Sequence, residues 1–178
     1  MARFLAAGIN VVGTSMVWLV TPRQIDDWLR EPLEKNACAA GDSSLYVNGI
    51  DPGYSGDTAV LAALSLATRA QSVTVQEVFD YGNYDDYEYT GKAMGGFGTT
   101  ADDEPAMAFQ PGGVITTMFG GLVRNIAHHL GAELDDVTQR FEPWYTDRRI
   151  ECKMMTVEPG GLAGVRFAAE GGARRHGT

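Results

Sequence analysis

Apolar and polar positions divide the start of the chain into short elements that end at glycines. Ala2 to Ala7 is typical of the last turn of a helix, and Gly8 stands where helices commonly end. Ile9 to Val12 predicts a short buried strand, which the polar turn from Gly13 to Ser15 follows. Helix, strand and polar turn in this order form part of a βα repeat. We therefore expect the chain to begin part-way through such a repeat, as part of a longer sequence.

The next segments predict two helices and the strand around which the chain is organised. A capping-box pattern with proline at the first helical position covers Thr21 to Gln24 and predicts the start of a helix. Pro32 to Gly41 predicts a second helix. Leu45 to Val47 combines β-branched and aromatic side chains, which favour a strand.

Turn-forming residues end that strand in a segment from Asn48 to Gly53. Ser55 or Asp57 can cap the helix that follows. A strand whose carboxyl end opens into a polar, glycine-rich turn is where open α/β sheets bind ligands, so this turn is the predicted site. Asp51 and Asp57 flank it, and two interpretations stay open. Each carboxylate accepts a hydrogen bond from a ribose or an amine, or each serves only the turn and the helix cap.

The second half of the chain predicts a strand, a long loop, one strong helix and a set of closing strands. Ser72 to Phe79 alternates as a half-buried strand does. Asp80 to Pro111 is rich in Gly, Asp and Tyr and predicts a functional loop over a site. Gly112 to Leu130 carries an apolar stripe at helical spacing. Three strands follow at Val137–Trp144, Arg149–Val157 and Leu162–Ala168, the last two as a hairpin, and residues 171–178 should fray.

The composition limits the classes of partner and the cellular location that we expect for the protein. The 178 residues carry a net charge of -9, with no basic stripe to neutralise phosphates, which argues against a nucleic-acid partner. Cys38 and Cys152 lie far apart and form no metal-ligand pattern, so we expect reduced, buried thiols in a cytoplasmic protein. Residues 1–20 partly resemble a signal peptide, but polar residues interrupt the apolar run. A secreted domain is therefore the weaker interpretation, and a membrane span is excluded.

Three groups of polar side chains invite a chemical interpretation, and each has a simpler one. His128 and His129 fall in the last turn of the strong helix, where basic side chains suit the helix dipole, and adjacent positions diverge too far to share a ligand. The run from Gly91 to Gly98 lacks phosphate-loop spacing, although Lys92 could reach an acidic group of a substrate. Acidic loop clusters are usually solvated, so we expect no metal site. The acidic residues concerned are Asp85, Asp86, Asp102, Asp103 and Glu104.

The turn after the first strand and the segment SLYVNGIDPGYSGD resemble the dihydrodipicolinate reductase-like, NAD(P)H-dependent amine and amino-acid dehydrogenases. Gly49 to Tyr54 is similar to the G-[VI]-[ND]-P-G-[FY] turn of the 2,4-diaminopentanoate dehydrogenase-like members. The similarity continues through FDYGNY, GGLVRNIAHHLG and LDDVTQRFEPW, up to about residue 165. Two motifs are absent from the chain: the GxGxxG fingerprint and the HHxxKxDAPSGT motif of the lysine-biosynthetic reductase.

The resemblance implies an α/β protein in which residues 1–56 end a Rossmann-type parallel sheet. Residues 57–170 would form an α+β domain with a mixed or antiparallel sheet that carries substrate and oligomer contacts. The implied reaction is hydride transfer between NAD(P)H and the C=N or C–N carbon of a small amine or amino-acid-like substrate. The implied cofactor-binding residues are Gly13, Thr14 and Ser15, beside the nicotinamide ribose, and Asn48, Gly49 and Asp51, beside the nicotinamide. The candidate substrate-binding residues are Asp57, Tyr81 and Lys92.

These implications predict an oxidoreductase that forms a homo-oligomer and has no nucleic-acid or membrane partner. An alternative from another class is a catalytically incompetent fragment that acts only as an oligomerisation module. In that case the closing sheet and the helix of residues 114–130 would pair two chains. Saturable binding of NAD(P)H separates the two hypotheses. The sequence assigns no catalytic acid or base.

Overall fold

The computed structural model describes residues 1–22, 25 and 27–173. It contains two compact units. The first unit consists of Met1–Val75 and Arg124–Glu133, and the second of Gln76–Val123 and Leu134–Thr178. These units are groups of residues that contact one another more than they contact the rest of the chain. The predicted domain division between residues 56 and 57 stays a prediction.

The first unit is built from short helices around a pair of parallel strands. Strand β1 (Val11–Gly13) pairs in parallel with β2 (Leu45–Val47), with Val12 opposite Tyr46. Parallel neighbours need a long crossover, which the helical segments between the two strands supply. The helices are α1 (Ala2–Ala6), α2 (Asp27–Leu33), α3 (Ala39–Gly41) and α4 (Ala59–Leu64), with a 3₁₀ turn at Val17–Val20 and a π-helical segment at Glu34–Cys38. A second π-helical segment, Ile50–Thr58, contains non-helical backbone at Asp51, Pro52 and Gly53.

The predicted helix end at Gly8 is confirmed, and the two predicted helices after it are corrected to one helical run. Gly8 has φ +81, a conformation that glycine adopts without steric cost. The run extends without interruption from Asp27 to Gly41 and contains Pro32. Proline removes one backbone donor, and the wider π-helical turn directly after α2 accommodates such a defect. The predicted capping box at Thr21 to Gln24 lies partly outside the described residues.

The parallel pair has one buried and one exposed face. Leu19, Ile25 and Val47 form the core on the buried side. On the other side Val12 and Tyr46 are 75% and 57% exposed, so nothing within the first unit covers them. Parallel sheets are usually covered on both faces, and this pair is covered on one.

The second unit is organised by a long two-stranded antiparallel ribbon. Strand β3 (Leu134–Tyr145) pairs with β6 (Leu162–Ala173), while β4 (Ile150–Glu151) and β5 (Thr156–Val157) form a small hairpin of their own. The predicted hairpin between the last two strands is therefore wrong, because the final strand pairs with β3. Strand β6 also extends three residues into the segment 171–178 that was predicted to fray, and residues 174–178 lie outside the described part.

Helix α5 (Val114–His129) confirms the strongest sequence prediction, and its first part packs on the ribbon. The ring of Phe119 lies 5.7 Å from that of Phe167, which is opposite Phe141 in the β3–β6 register. The side-chain amide of Gln139 donates to the carbonyl of Thr116 at 2.6 Å. The first part of α5 therefore packs on one face of the ribbon.

The segment before α5 differs from the prediction. Ser72 to Phe79 forms no regular secondary structure, so the predicted strand is wrong. The long loop contains a π-helical segment at Tyr87–Met94 and a 3₁₀ turn at Met107–Phe109. The described residues thus form a mixed α/β structure with parallel and antiparallel pairs, as the coarse prediction states. None of the helices in this part of the chain has the length and apolar character needed to cross a bilayer.

Candidate functional site

The carboxyl ends of β1 and β2 bring two predicted cofactor-binding segments together. The backbone N–H of Asn48 donates to the carbonyl of Gly13 at 3.0 Å, just beyond the last paired residues of the strands. This bond places the turn that begins at Gly13 beside the turn that begins at Asn48. It is the arrangement in which open α/β sheets bind ligands.

The turn after β2 is tight and stabilised from within. The carboxamide oxygen of Asn48 accepts from the backbone N–H of Gly49 at 2.8 Å, and the N–H of Tyr54 donates to the carbonyl of Gly49 at 2.8 Å. Gly53 has φ +135, and a Cβ there would lie 2.5 Å from the carboxamide oxygen of Asn48. Glycine is therefore required at position 53 by conformation and by space.

The turn after β1 is open where the turn after β2 is closed. A Cβ on Gly13 would meet no atom within 4 Å, and the side chains of Thr14 and Ser15 are exposed. A planar ligand could approach the backbone here, and the two hydroxyls can donate and accept hydrogen bonds. An open backbone and two hydroxyl groups are the kinds of groups that can contact the nicotinamide and its ribose. The chain has no glycine fingerprint for the pyrophosphate.

The two carboxylates that flank the turn differ in environment. Asp51 is half-buried, whereas Asp57 is only 6% exposed. The hydroxyl of Thr58 donates to Asp57 Oδ1 at 3.0 Å, and the side-chain amide of Asn125 donates to Asp57 Oδ2 at 3.5 Å. The predicted cap is not formed by a side chain: Ser55 Oγ donates instead to the carbonyl of Ile50 at 2.6 Å. The Asp57 carboxylate therefore accepts hydrogen bonds from residues within the first unit. Its contact with a substrate stays a prediction.

Sequence reasoning missed Asn125 as a neighbour of this region. It lies in the second half of α5, and 68 positions separate it from Asp57. Asn125 is one of several polar residues on α5, so local pattern identified neither this residue nor its partner. Buried carboxylates need such partners, because an unsatisfied charge in the interior is costly.

Tyr81, the second predicted substrate residue, lies in an aromatic cluster of the second unit. Its ring is 4.8 Å from that of Phe79, 5.3 Å from that of Tyr84 and 5.8 Å from that of Phe97. Burial raises the pKa of Tyr81, and nearby Glu77 adds to the effect. The hydroxyl is therefore protonated at neutral pH and available as a hydrogen-bond donor.

Lys92 and the acidic side chains of the same loop are distributed along its surface. Lys92 is exposed on the π-helical segment, which the Asp86 carboxylate caps by accepting from Tyr89 and Thr90. Asp85 pairs with Lys153 at 3.1 Å. In the part of the chain that the structure describes, no group of three or more His, Cys, Asp or Glu side chains is arranged to hold a metal ion.

His128 and His129 lie at the end of α5 and contact each other. His129 Nδ1 lies 2.9 Å from the carbonyl of Asn125, one helical turn back, and the ring of His128 stands edge-on to that of His129. Cys38 and Cys152 are free thiols and are partly rather than fully buried, which corrects the expectation of buried cysteines.

Comparison with known proteins gives one informative similarity. No family model matches the chain. Over 170 residues the chain is 29% identical to a protein named amine dehydrogenase from Streptomyces virginiae. The aligned region covers 95% of this chain and 46% of that relative, so the chain spans about half the length of the curated relative it matches.

Proposed function

We propose that the chain is part of an NAD(P)H-dependent oxidoreductase that transfers a hydride to or from a carbon bonded to nitrogen in a small amine or amino-acid-like substrate. The similarity to the amine dehydrogenase supports the reaction class. The observation that carries the proposal is the bond between Asn48 N and Gly13 O, which joins the predicted nicotinamide-binding turns at one sheet edge. In this proposal the parallel pair of β1 and β2 is the end of a Rossmann-type sheet.

In this proposal the residues of the chain position the reactants. Thr14 and Ser15 hold the ribose through their hydroxyls, and the open backbone at Gly13 lets the ring approach. The Asn48 carboxamide keeps the turn closed, so the ring lies against a fixed surface. The nicotinamide supplies or takes the hydride when it is bound.

The substrate residues are proposed by the chemistry of their side chains. The protonated hydroxyl of Tyr81 donates a hydrogen bond to the substrate, and Lys92 attracts an acidic group where the substrate is amino-acid-like. Asp57 is included in the proposal as an acceptor for a substrate amine, although the residue is 6% exposed and its carboxylate already accepts from Thr58 and Asn125.

Titration with NADH and NADPH, followed by cofactor fluorescence, tests the proposal. We expect saturable but weak binding, at millimolar rather than micromolar concentrations, because the chain has no fingerprint to hold the pyrophosphate. Gly13→Val should weaken it at least about tenfold, which corresponds to ~1.4 kcal/mol, by filling the open space over the backbone.

Val12→Thr is the matched control, since Val12 points to the exposed face of β1 and its replacement should leave binding unchanged. The absence of saturable binding by the wild-type chain would reject the proposal and leave the oligomerisation module. Equal binding by Gly13→Val would reject the assigned site.

A further inference from the structure

An open recess of about 480 Å³ lies in the second unit, where β3 and β6 meet the loop that follows β3. Two aromatic rings, two opposite charges and small residues line it. The lining residues include Trp144, Tyr145, Asp147, Arg148, Ala163 and Gly164. The candidate dehydrogenase residues do not include any of them.

A β-bulge explains why two neighbouring aromatic residues line the same recess. Trp144 pairs with Gly164 and Tyr145 with Leu162, so Ala163 is an extra residue in β6. Adjacent side chains of a regular strand point to opposite faces, and bulges change that direction. The indole of Trp144 is 68% exposed, because its cross-strand neighbour is glycine and offers no side chain to cover it.

The loop at the recess is held by its own hydrogen bonds. Thr146 Oγ1 donates to the carbonyl of Arg148 at 2.7 Å and accepts from the backbone N–H of Arg148 at 3.2 Å. The backbone of Thr146 is also bonded to Gly160 and Gly161 across the ribbon. The backbone of the loop that lines the recess is therefore tied to itself and to the ribbon by hydrogen bonds.

Arg148 differs from the other basic residues of the ribbon and its loops. Among the described residues from 134 to 173, the four others each pair with a carboxylate, and Arg148 has no such pair. The four are Arg140, Arg149, Lys153 and Arg166. An exposed arginine and an exposed tryptophan thus line the same recess. A guanidinium binds carboxylates in a planar, two-point geometry, and an indole offers a face for ring stacking.

We propose that this recess binds a small planar aromatic carboxylic acid. The ring stacks on Trp144, and the carboxylate is held by Arg148. Asp147 repels the carboxylate and limits the affinity. Both Asp147 and Arg148 are exposed, so salt screens the repulsion and the attraction alike. The proposal is independent of the dehydrogenase chemistry, because it uses none of the residues assigned to that reaction.

Calorimetric titration with 2-naphthoate, its neutral amide and 2-naphthylmethylamine tests the proposal. We expect the acid to bind tightest, at least about threefold better than the amide, because a charge-assisted hydrogen bond is the stronger one. Arg148→Gln should remove this preference, and Asp147→Asn should tighten binding of the acid. Trp144→Ala should weaken the acid and the amide alike, by about fivefold or more.

Arg166→Gln is the matched control, since it removes an equally exposed arginine from the same ribbon and should change nothing. Far-UV circular dichroism checks that each variant is folded, which we expect because the substituted positions are exposed. Equal binding of the three probes, tightest binding of the amine, or an unchanged preference in Arg148→Gln would overturn the proposal.

Discussion

Asn125 donates its side-chain amide to the buried carboxylate of Asp57, which joins the second half of α5 to the turn before α4. The distance is 3.5 Å, at the long end for a hydrogen bond. Both residues belong to the first unit, although 68 positions separate them in sequence. The bond therefore fixes the end of the predicted cofactor turn to a helix that the sequence places far away.

Loss of that bond should destabilise the first unit. Asn125→Ala leaves Asp57 with one partner fewer, and we expect the free energy of unfolding in urea to fall by about 1 kcal/mol. Arg124→Ala, at the exposed neighbouring position, should change it by less than about 0.5 kcal/mol. Equal effects of the two substitutions would show that the bond contributes nothing.

A pair of adjacent glycines tests the packing of α5 on the ribbon. A Cβ on Gly171 would lie 2.8 Å from a methyl group of Val123 and 2.9 Å from one of Leu134, whereas a Cβ on Gly172 would meet nothing within 4 Å. We expect Gly171→Ala to lower thermal stability by the equivalent of about 1–3 kcal/mol and Gly172→Ala to be close to neutral. The reverse order would mean that α5 does not pack on β6 as described.

Glycines in the two candidate turns provide a second matched pair. Gly53→Ala introduces a strained positive φ and a contact with the Asn48 carboxamide, and it should cost more than about 1 kcal/mol. Gly13→Ala introduces a methyl group into open space and should leave stability unchanged within about 0.5 kcal/mol. Urea unfolding of both variants measures the difference, and similar losses would contradict the closed and open geometries assigned to the turns.

Ionisation of Tyr81 should make the aromatic cluster sensitive to alkaline pH. Burial raises the pKa of Tyr81 above that of the unfolded chain, so the folded state holds the phenolic proton more tightly. This stabilisation is fully present below about pH 10, the unfolded value, and is lost as the pH rises through the folded value. Absorbance titration at alkaline pH should show one late-ionising tyrosine that disappears in Tyr81→Phe. A titration in which the late phase survives that substitution would contradict the assignment.

Elements with a strong local signal could be predicted from sequence. The apolar stripe from Val114 onward predicted α5 nearly as observed, and the apolar and aromatic run at Leu45 to Val47 predicted β2. The family resemblance assigned the turns at Gly13 and Asn48 to one nicotinamide, and the two turns lie side by side in the structure.

Features that depend on distant partners could not be predicted in this way. Ser72 to Phe79 has the alternation of a strand, but without a pairing neighbour its backbone forms no sheet. The pairing of β6 with β3 rather than with the nearer segment depends on packing against α5, which local pattern does not reveal. The contact of Asp57 with Asn125 likewise joins residues that lie far apart in the sequence.

The most direct test of the central claim is the backbone amide NMR spectrum of the chain, recorded with increasing NADPH. The claim is that the edge where β1 and β2 end binds the nicotinamide. The account predicts saturable shifts of the amide signals at residues 13–15 and 48–51. The amide signals of the ribbon in the second unit should shift much less. Saturable shifts elsewhere with these residues unmoved, or no saturable shifts at all, would contradict it.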